Sequence, residues 1–158
     1  MISSGLYTIQ TLGGRLTLAG GTRYEEGVVA VDAQGDKTSI LPHEKASQWL
    51  VELWGSPDEV VIRNLQTEEF LCRHSVESTS AAMSSEPYIW RIESSGSGQF
   101  FILPKESRSM NEVALTANPV SPPVTPPLPR TILLGKKADA GVGSGVVKLQ
   151  LWVFTPIN

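Results

Sequence analysis

Hydrophobic and polar residues alternate in short runs along most of this chain, and clusters of Gly, Ser, Pro and Asp separate the runs. Alternation at period two sends successive side chains to opposite faces, so each run reads as a half-buried β-strand. The stretch from Ser47 to Asn64, SQWLVELWGSPDEVVIRN, shows the pattern most clearly: Trp49-x-Val51, a turn, then Asp58-x-Val60-x-Ile62. The same joint returns as Trp90-x-Ile92, the turn SSGSG, and Gly98-x-Phe100-x-Ile102. Its two halves stand near the chain ends, Gly5-x-Tyr7-x-Ile9 in front and Trp152-x-Phe154 behind. Spacing within the joints is nearly constant while the segments between them vary. Strands paired about a common axis behave in this way, because they hold their register while insertions go to surface loops.

The joints divide residues 1–158, read as a single domain, into three units of approximately 5–54, 58–94 and 98–156. In the first, GLYTIQ and RLTLAG flank Gly13-Gly14 as a hairpin, VVAVD follows the loop GGTRYEEG, and SQWLVELW closes the unit. In the second, EVVIRN and EEFLCRH pair across Leu65-Gln66-Thr67, a weaker strand lies near Ala81 to Met83, and YIWRIE closes it. The third runs QFFILP, EVALTA, RTILLGKK and VVKLQLWVF. No segment carries a sustained apolar stripe at i, i+3, i+4, so little helix is expected. Three units of four strands give an all-β fold of twelve strands in three pseudo-repeats: a β-trefoil, with a six-stranded barrel and a hairpin cap. Closure leaves no sheet edge exposed, and the repeated Trp points into the core. An irregular sandwich is the competing architecture, but it gives no reason for the repeated joint.

Composition narrows the function. A chain of 158 residues that is 41% hydrophobic can bury one proper core. The net charge of -3 and pI near 5.4 leave no basic footprint for nucleic acid. The absence of a long apolar run argues against a membrane partner. Without the basic and long apolar regions of a signal peptide, the chain reads as soluble and cytoplasmic, or as secreted by another route. Cys72 is the single cysteine, so no intrachain disulfide can form, and its alternating context suits a small buried hydrophobe. Six of the 11 prolines fall between Pro119 and Pro129, a stiff surface excursion rather than a strand.

Catalytic chemistry has no support in the sequence. His43 and His74 lie far apart and outside any metal-binding spacing, so no metal or other cofactor is expected. GVGSG at 141–145 runs from strand to strand without the helix that would hold a phosphate. The adjacent carboxylates Glu25-Glu26, Asp58-Glu59 and Glu68-Glu69 point to opposite faces of a strand and build no acid/base dyad. The reading is a non-enzymatic binding protein that acts through loops carried on a barrel. Thr22, Arg23 and Tyr24 form one candidate tip, between Gly20-Gly21 and Gly27, with Arg and Tyr as anchor types. Lys136 and Lys137 form a second. Trp54, the one Trp outside the repeat, is either an aromatic platform or a cap on the barrel end.

The G-x-Y-x-I opening, ILP (40–42) before Trp49 to Glu52, the YIWRIE closing and the proline-rich third unit resemble the fungal β-trefoil protease inhibitors, the clitocypin, macrocypin and cospin group. The resemblance implies inhibition of a protease partner by a surface loop. A trypsin-type serine protease is the first expectation, with Arg23 entering the acidic pocket and Lys136 or Lys137 behind it; a cysteine protease is the second. A rival resemblance is to ricin-B-type lectins, whose Q-x-W appears at Gln150 to Trp152 and whose strand-turn-strand unit is similar to VIRNLQTEEFL. In the other two units Gln48 abuts Trp49 directly and Tyr88 stands two before Trp90, so one unit of three keeps the motif. That resemblance implies a glycan partner, with Gln150, Trp152, Asn64 and Trp54 as sugar-binding candidates.

Overall fold

The computed structural model describes residues 2–11, 16–20, 28–32, 47–73, 80–96, 98–105, 112–117, 130–137 and 149–157. Among these there is no α-helix, and twelve strands follow one another: β1 (Gly5–Thr11), β2 (Leu16–Gly20), β3 (Val28–Asp32), β4 (Trp49–Trp54), β5 (Ser56–Asn64), β6 (Phe70–Cys72), β7 (Ala82–Ser84), β8 (Trp90–Gly96), β9 (Gln99–Pro104), β10 (Val113–Ala117), β11 (Arg130–Lys136) and β12 (Trp152–Pro156). The expected strand count and order are both observed.

Six of the strands close a ring. β1 pairs with β4, β4 with β5, β5 with β8, β8 with β9, β9 with β12, and β12 with β1 again, all antiparallel. The remaining strands form three hairpins, β2–β3, β6–β7 and β10–β11. These lean on one another: Arg130 and Thr131 pair with Ala30 and Val29, and an isolated bridge joins Ser80 to Leu133. This is the β-trefoil, a six-stranded barrel capped at one end by three hairpins. Every barrel strand has both edges paired, so no long free edge is left in the barrel to template aggregation.

Register follows the joints read from the sequence. Ile9 lies opposite Phe154, Ile62 opposite Val51, and Ile102 opposite Ile92. One step along, Trp152 faces Thr11, Trp49 faces Asn64, and Trp90 faces Pro104. Trp49, Val51, Val60 and Ile62 point inward, as the alternation requires, and none is exposed to solvent. They share one core with Ile9, Leu18, Leu71, Trp90, Ile102, Leu115 and Trp152. Tyr7, Phe154 and Phe100 meet edge to face, with centroids 5.9 and 5.8 Å apart. Ile2 joins this same core.

The turns from the last strand of one repeat to the first of the next bend sharply. The β4–β5 turn carries a register shift after Leu53 and the β8–β9 turn carries one after Ser94. Gly55, Gly96 and Gly98 supply φ of +88°, +97° and +77° there, which a side chain would resist. By connectivity both turns lie at the uncapped end of the barrel, opposite the hairpins.

Candidate functional site

The repeated Trp belongs to the scaffold. Trp49, Trp90 and Trp152 each begin the last strand of a repeat, are wholly buried, and donate Nε1–H to a carbonyl in the second strand of that repeat. The acceptors are Leu18 at 3.0 Å, Leu71 at 2.9 Å and Leu115 at 2.9 Å. A buried indole needs such a partner, and here the bond also ties each hairpin to the barrel. This burial corrects the expectation for Trp152 as a sugar-binding residue, because its ring has no face left for a ligand.

Gln150 and Asn64 are corrected on the same ground. Gln150 is buried and its Nε2 donates to Thr116 Oγ1 (3.0 Å) and to the Lys136 carbonyl (2.8 Å), so the Q-x-W glutamine locks β10 to β11. Gly135 allows that approach, since a Cβ there would come within 3.2 Å of the Thr116 hydroxyl. Asn64 is fully buried at the end of β5, and its Oδ1 accepts from the amides of Gln66 (2.9 Å) and Thr67 (3.0 Å). Its backbone bonds Glu69 and Glu68, and Glu68 adopts φ +62°. Asn64 therefore builds the β5–β6 turn from inside, as Asx residues do.

Of the basic tips, Thr22, Arg23 and Tyr24 lie outside the described residues, as do the histidines and the proline-rich segment. Lys136 ends β11 exposed. Lys137 does not point out from a tip, because it is held against the protein. Its ammonium ion-pairs with Glu93, lies 4.0 Å from Glu112 Oε1, and sits 4.9 Å from the Phe101 ring centre. Glu112 also receives Arg91 Nη2 at 2.5 Å. Beneath this network Phe101 and Leu103 pack with Ala114 and Leu151 in a small second core on the outer face of the barrel. The charge alternation R-I-E gives a hint of this network, but the partners Glu112 and Lys137 come from distant strands and no local pattern joins them.

Cys72 is buried, and desolvation, reinforced by the nearby Glu69 carboxylate, raises its thiol pKa above the ordinary thiol range. That keeps it protonated and inert, as a core hydrophobe should be. Among the described residues no three metal-ligating side chains cluster.

Trp54 differs from the other tryptophans in being open to solvent. It is 46% exposed, beside Leu53 at 40%, on the bulged turn at the uncapped barrel end. The equivalent positions in the other repeats are Ser94-Ser95 and Pro156-Ile157, so the indole here breaks the threefold symmetry. The turn is held from beneath: Ser4 Oγ accepts the Leu53 amide at 3.1 Å. Ser56, cross-strand partner of Trp54, donates to Asp58 Oδ1 at 2.9 Å. A flat indole face with hydroxyl and carboxylate groups alongside can stack on an apolar ring face and hydrogen-bond its rim.

No protein-family model matches the chain, and no curated sequence matches it. Solved structures do. A ricin B-like lectin of Macrolepiota procera, solved in complex with lactose, matches 99% of this chain and 99% of its own at TM-score 0.66 and 13% identity. Several of the structural neighbours are lectins or agglutinins by name. The Rhizoctonia solani agglutinin matches 99% of this chain and 98% of its own, at TM-score 0.66 and 16% identity. A mosquitocidal holotoxin matches all of this chain at TM-score 0.72 and 13% identity, and the match covers 18% of the toxin's length. At these identities the likeness is one of fold.

Proposed function

We propose that this chain is a non-enzymatic, carbohydrate-binding protein of the β-trefoil lectin type, with Trp54 as its stacking platform. The observation that carries the reading is the exposed Trp54 ring, on a scaffold whose solved neighbours include a lactose complex. Sugar recognition by trefoils of this kind supports a glycan partner, and the Trp54 turn supplies the chemistry: an aromatic face for C–H groups, with Ser56 and Asp58 for hydroxyls. Screening on a glycan array together with erythrocyte agglutination tests the reading, and two blank results would end it. Trp54→Ala should weaken glycan binding about tenfold while changing stability by less than about 0.5 kcal/mol, as expected of an exposed position.

Protease inhibition is the second reading. Its support is Lys136, a solvent-exposed basic side chain at a strand end whose neighbour Lys137 is clamped by Glu93 and Glu112, together with the sequence resemblance that nominates Arg23. Titration against trypsin, papain and a legumain-like protease separates the two, since a lectin leaves all three active at micromolar concentration. If trypsin is inhibited, full inhibition by Arg23→Ala clears the loop at Thr22–Tyr24 of the role.

A further inference from the structure

We infer that the Trp54 turn selects a cationic amino sugar, a glucosamine-type ring bearing a free ammonium, over its neutral N-acetylated counterpart. The inference rests on the carbohydrate-binding reading and names the ligand class of that site. From Glu52 to Glu59 the turn carries three carboxylates, Glu52, Asp58 and Glu59, and no basic residue. Glu52 and Asp58 are exposed. The Asp58 carboxylate is one hydrogen bond from Ser56, the residue across from Trp54. Glu59 reaches the same turn, with Oε1 at 3.9 Å from the position a Gly55 side chain would take; its other oxygen lies 3.7 Å from Lys105. The turn that carries the exposed indole therefore holds three carboxylates, one of them ion-paired with Lys105, on a chain that is itself net negative.

Charge decides among the occupants. A second copy of this chain would bring the same carboxylates face to face, which costs energy rather than yielding it. An extended peptide would need a strand edge, yet β4 is paired on both sides by β1 and β5, and β5 by β4 and β8. What remains is recognition by one ring face and a rim of acceptors. A pyranose presents an apolar face to an indole, and an ammonium on its edge meets the carboxylates and the electron-rich ring together. The equivalent turns lack both the indole and this charge set: Ser94, Ser95 and Gly96 occupy the second, so the selectivity belongs to one repeat.

The test exploits the tryptophans. Trp49, Trp90 and Trp152 are buried, so iodide quenching of the native protein reports Trp54. Wild-type protein is titrated with a glucosamine tetramer, with its fully N-acetylated analogue and with a tetra-lysine peptide, at about pH 6 where an amine is protonated. The expected result is protection of Trp54 by the glucosamine tetramer, with binding roughly fivefold tighter than to the acetylated form. The double variant Glu52→Gln, Asp58→Asn should equalise the two sugars while still binding both, and Trp54→Ala, followed by calorimetry, should bind both about tenfold more weakly. Equal or tighter binding of the acetylated tetramer overturns the inference and leaves the lectin reading standing; glycan binding undiminished in Trp54→Ala overturns the inference and removes Trp54 as the platform. Protection by tetra-lysine as strong as by the amino sugar also overturns it, showing simple polycation attraction. If no sugar in the array or the titration binds, both readings fall together.

Discussion

At the scale of single residues, the three indole bonds make a quantitative claim. Trp49, Trp90 and Trp152 hold equivalent places with equivalent acceptors at 2.9 to 3.0 Å. Replacing each in turn by Phe removes one donor and strands one buried carbonyl. Each variant should lose about 1–3 kcal/mol, and the three losses should agree within about 1 kcal/mol, as read by urea unfolding. Trp49→Ala adds a cavity and should lose about 3–5 kcal/mol. Cys72 makes a claim about pH. Its folded pKa lies above that of the free thiol, so its contribution to stability is whole below the ordinary thiol range and declines as pH rises through and beyond it. Alkaline unfolding midpoints should therefore shift less with pH in Cys72→Ala than in wild type, and the native thiol should resist alkylation until the protein opens. These inward positions were legible in the sequence because burial of a Trp or a Cys in an alternating run follows from period alone. The burial of Gln150 and Asn64 was not, because both are polar and only their partners on other strands, Thr116, Lys136 and the turn amides, make an interior place tolerable.

Elements show where local pattern stops carrying information. Strand identity and order could be read from alternation, and the turns from Gly, Ser and Pro. The weak third strand near Ala81 to Met83 does form, as Ala82–Ser84, although it is only three residues long. It is held by pairing with β6 and by the amide of Ala81 bonding Ile132, a partner in the third repeat that no local pattern names. The network over β9 is of the same kind. Arg91, Glu93, Glu112 and Lys137 come from three separate stretches, and their side chains are 17 to 36% exposed. Glu112→Gln should cost about 1–2 kcal/mol, more than an isolated surface pair, because two partly desolvated cations lose their shared carboxylate. The loss should shrink in high salt, and a double-mutant cycle with Arg91 would measure the coupling. At the turns, Gly98→Ala meets open space but a φ of +77°, so a loss of about 1 kcal/mol would be conformational alone.

For the whole molecule, threefold repetition sets what is constant and what is free. The core Ile, Leu and Trp positions recur in all three repeats, whereas Leu53 and Trp54 occur once, at the barrel end away from the hairpins. A scaffold that repeats its interior and varies its exterior can change ligand without refolding, which is why the fold was readable from the chain and the ligand was not. The chemistry at the Trp54 turn depends on which face of a bulge an indole takes and on carboxylates brought beside it, and spacing records neither.

The pairing of β1 with β12 has a consequence for synthesis. Five of the six seams in the barrel join strands from the same or neighbouring stretches of chain, but the last seam brings Tyr7 to Pro156 and Thr11 to Trp152. During translation the ribosome holds this seam open until residues 152–156 have left the exit tunnel, and until then β1 has an unsatisfied edge. The order of events is thus imposed by the direction of synthesis, and a nascent chain stalled before Trp152 should be protease-sensitive at this seam, whereas one in which residues 152–156 have emerged should become resistant there.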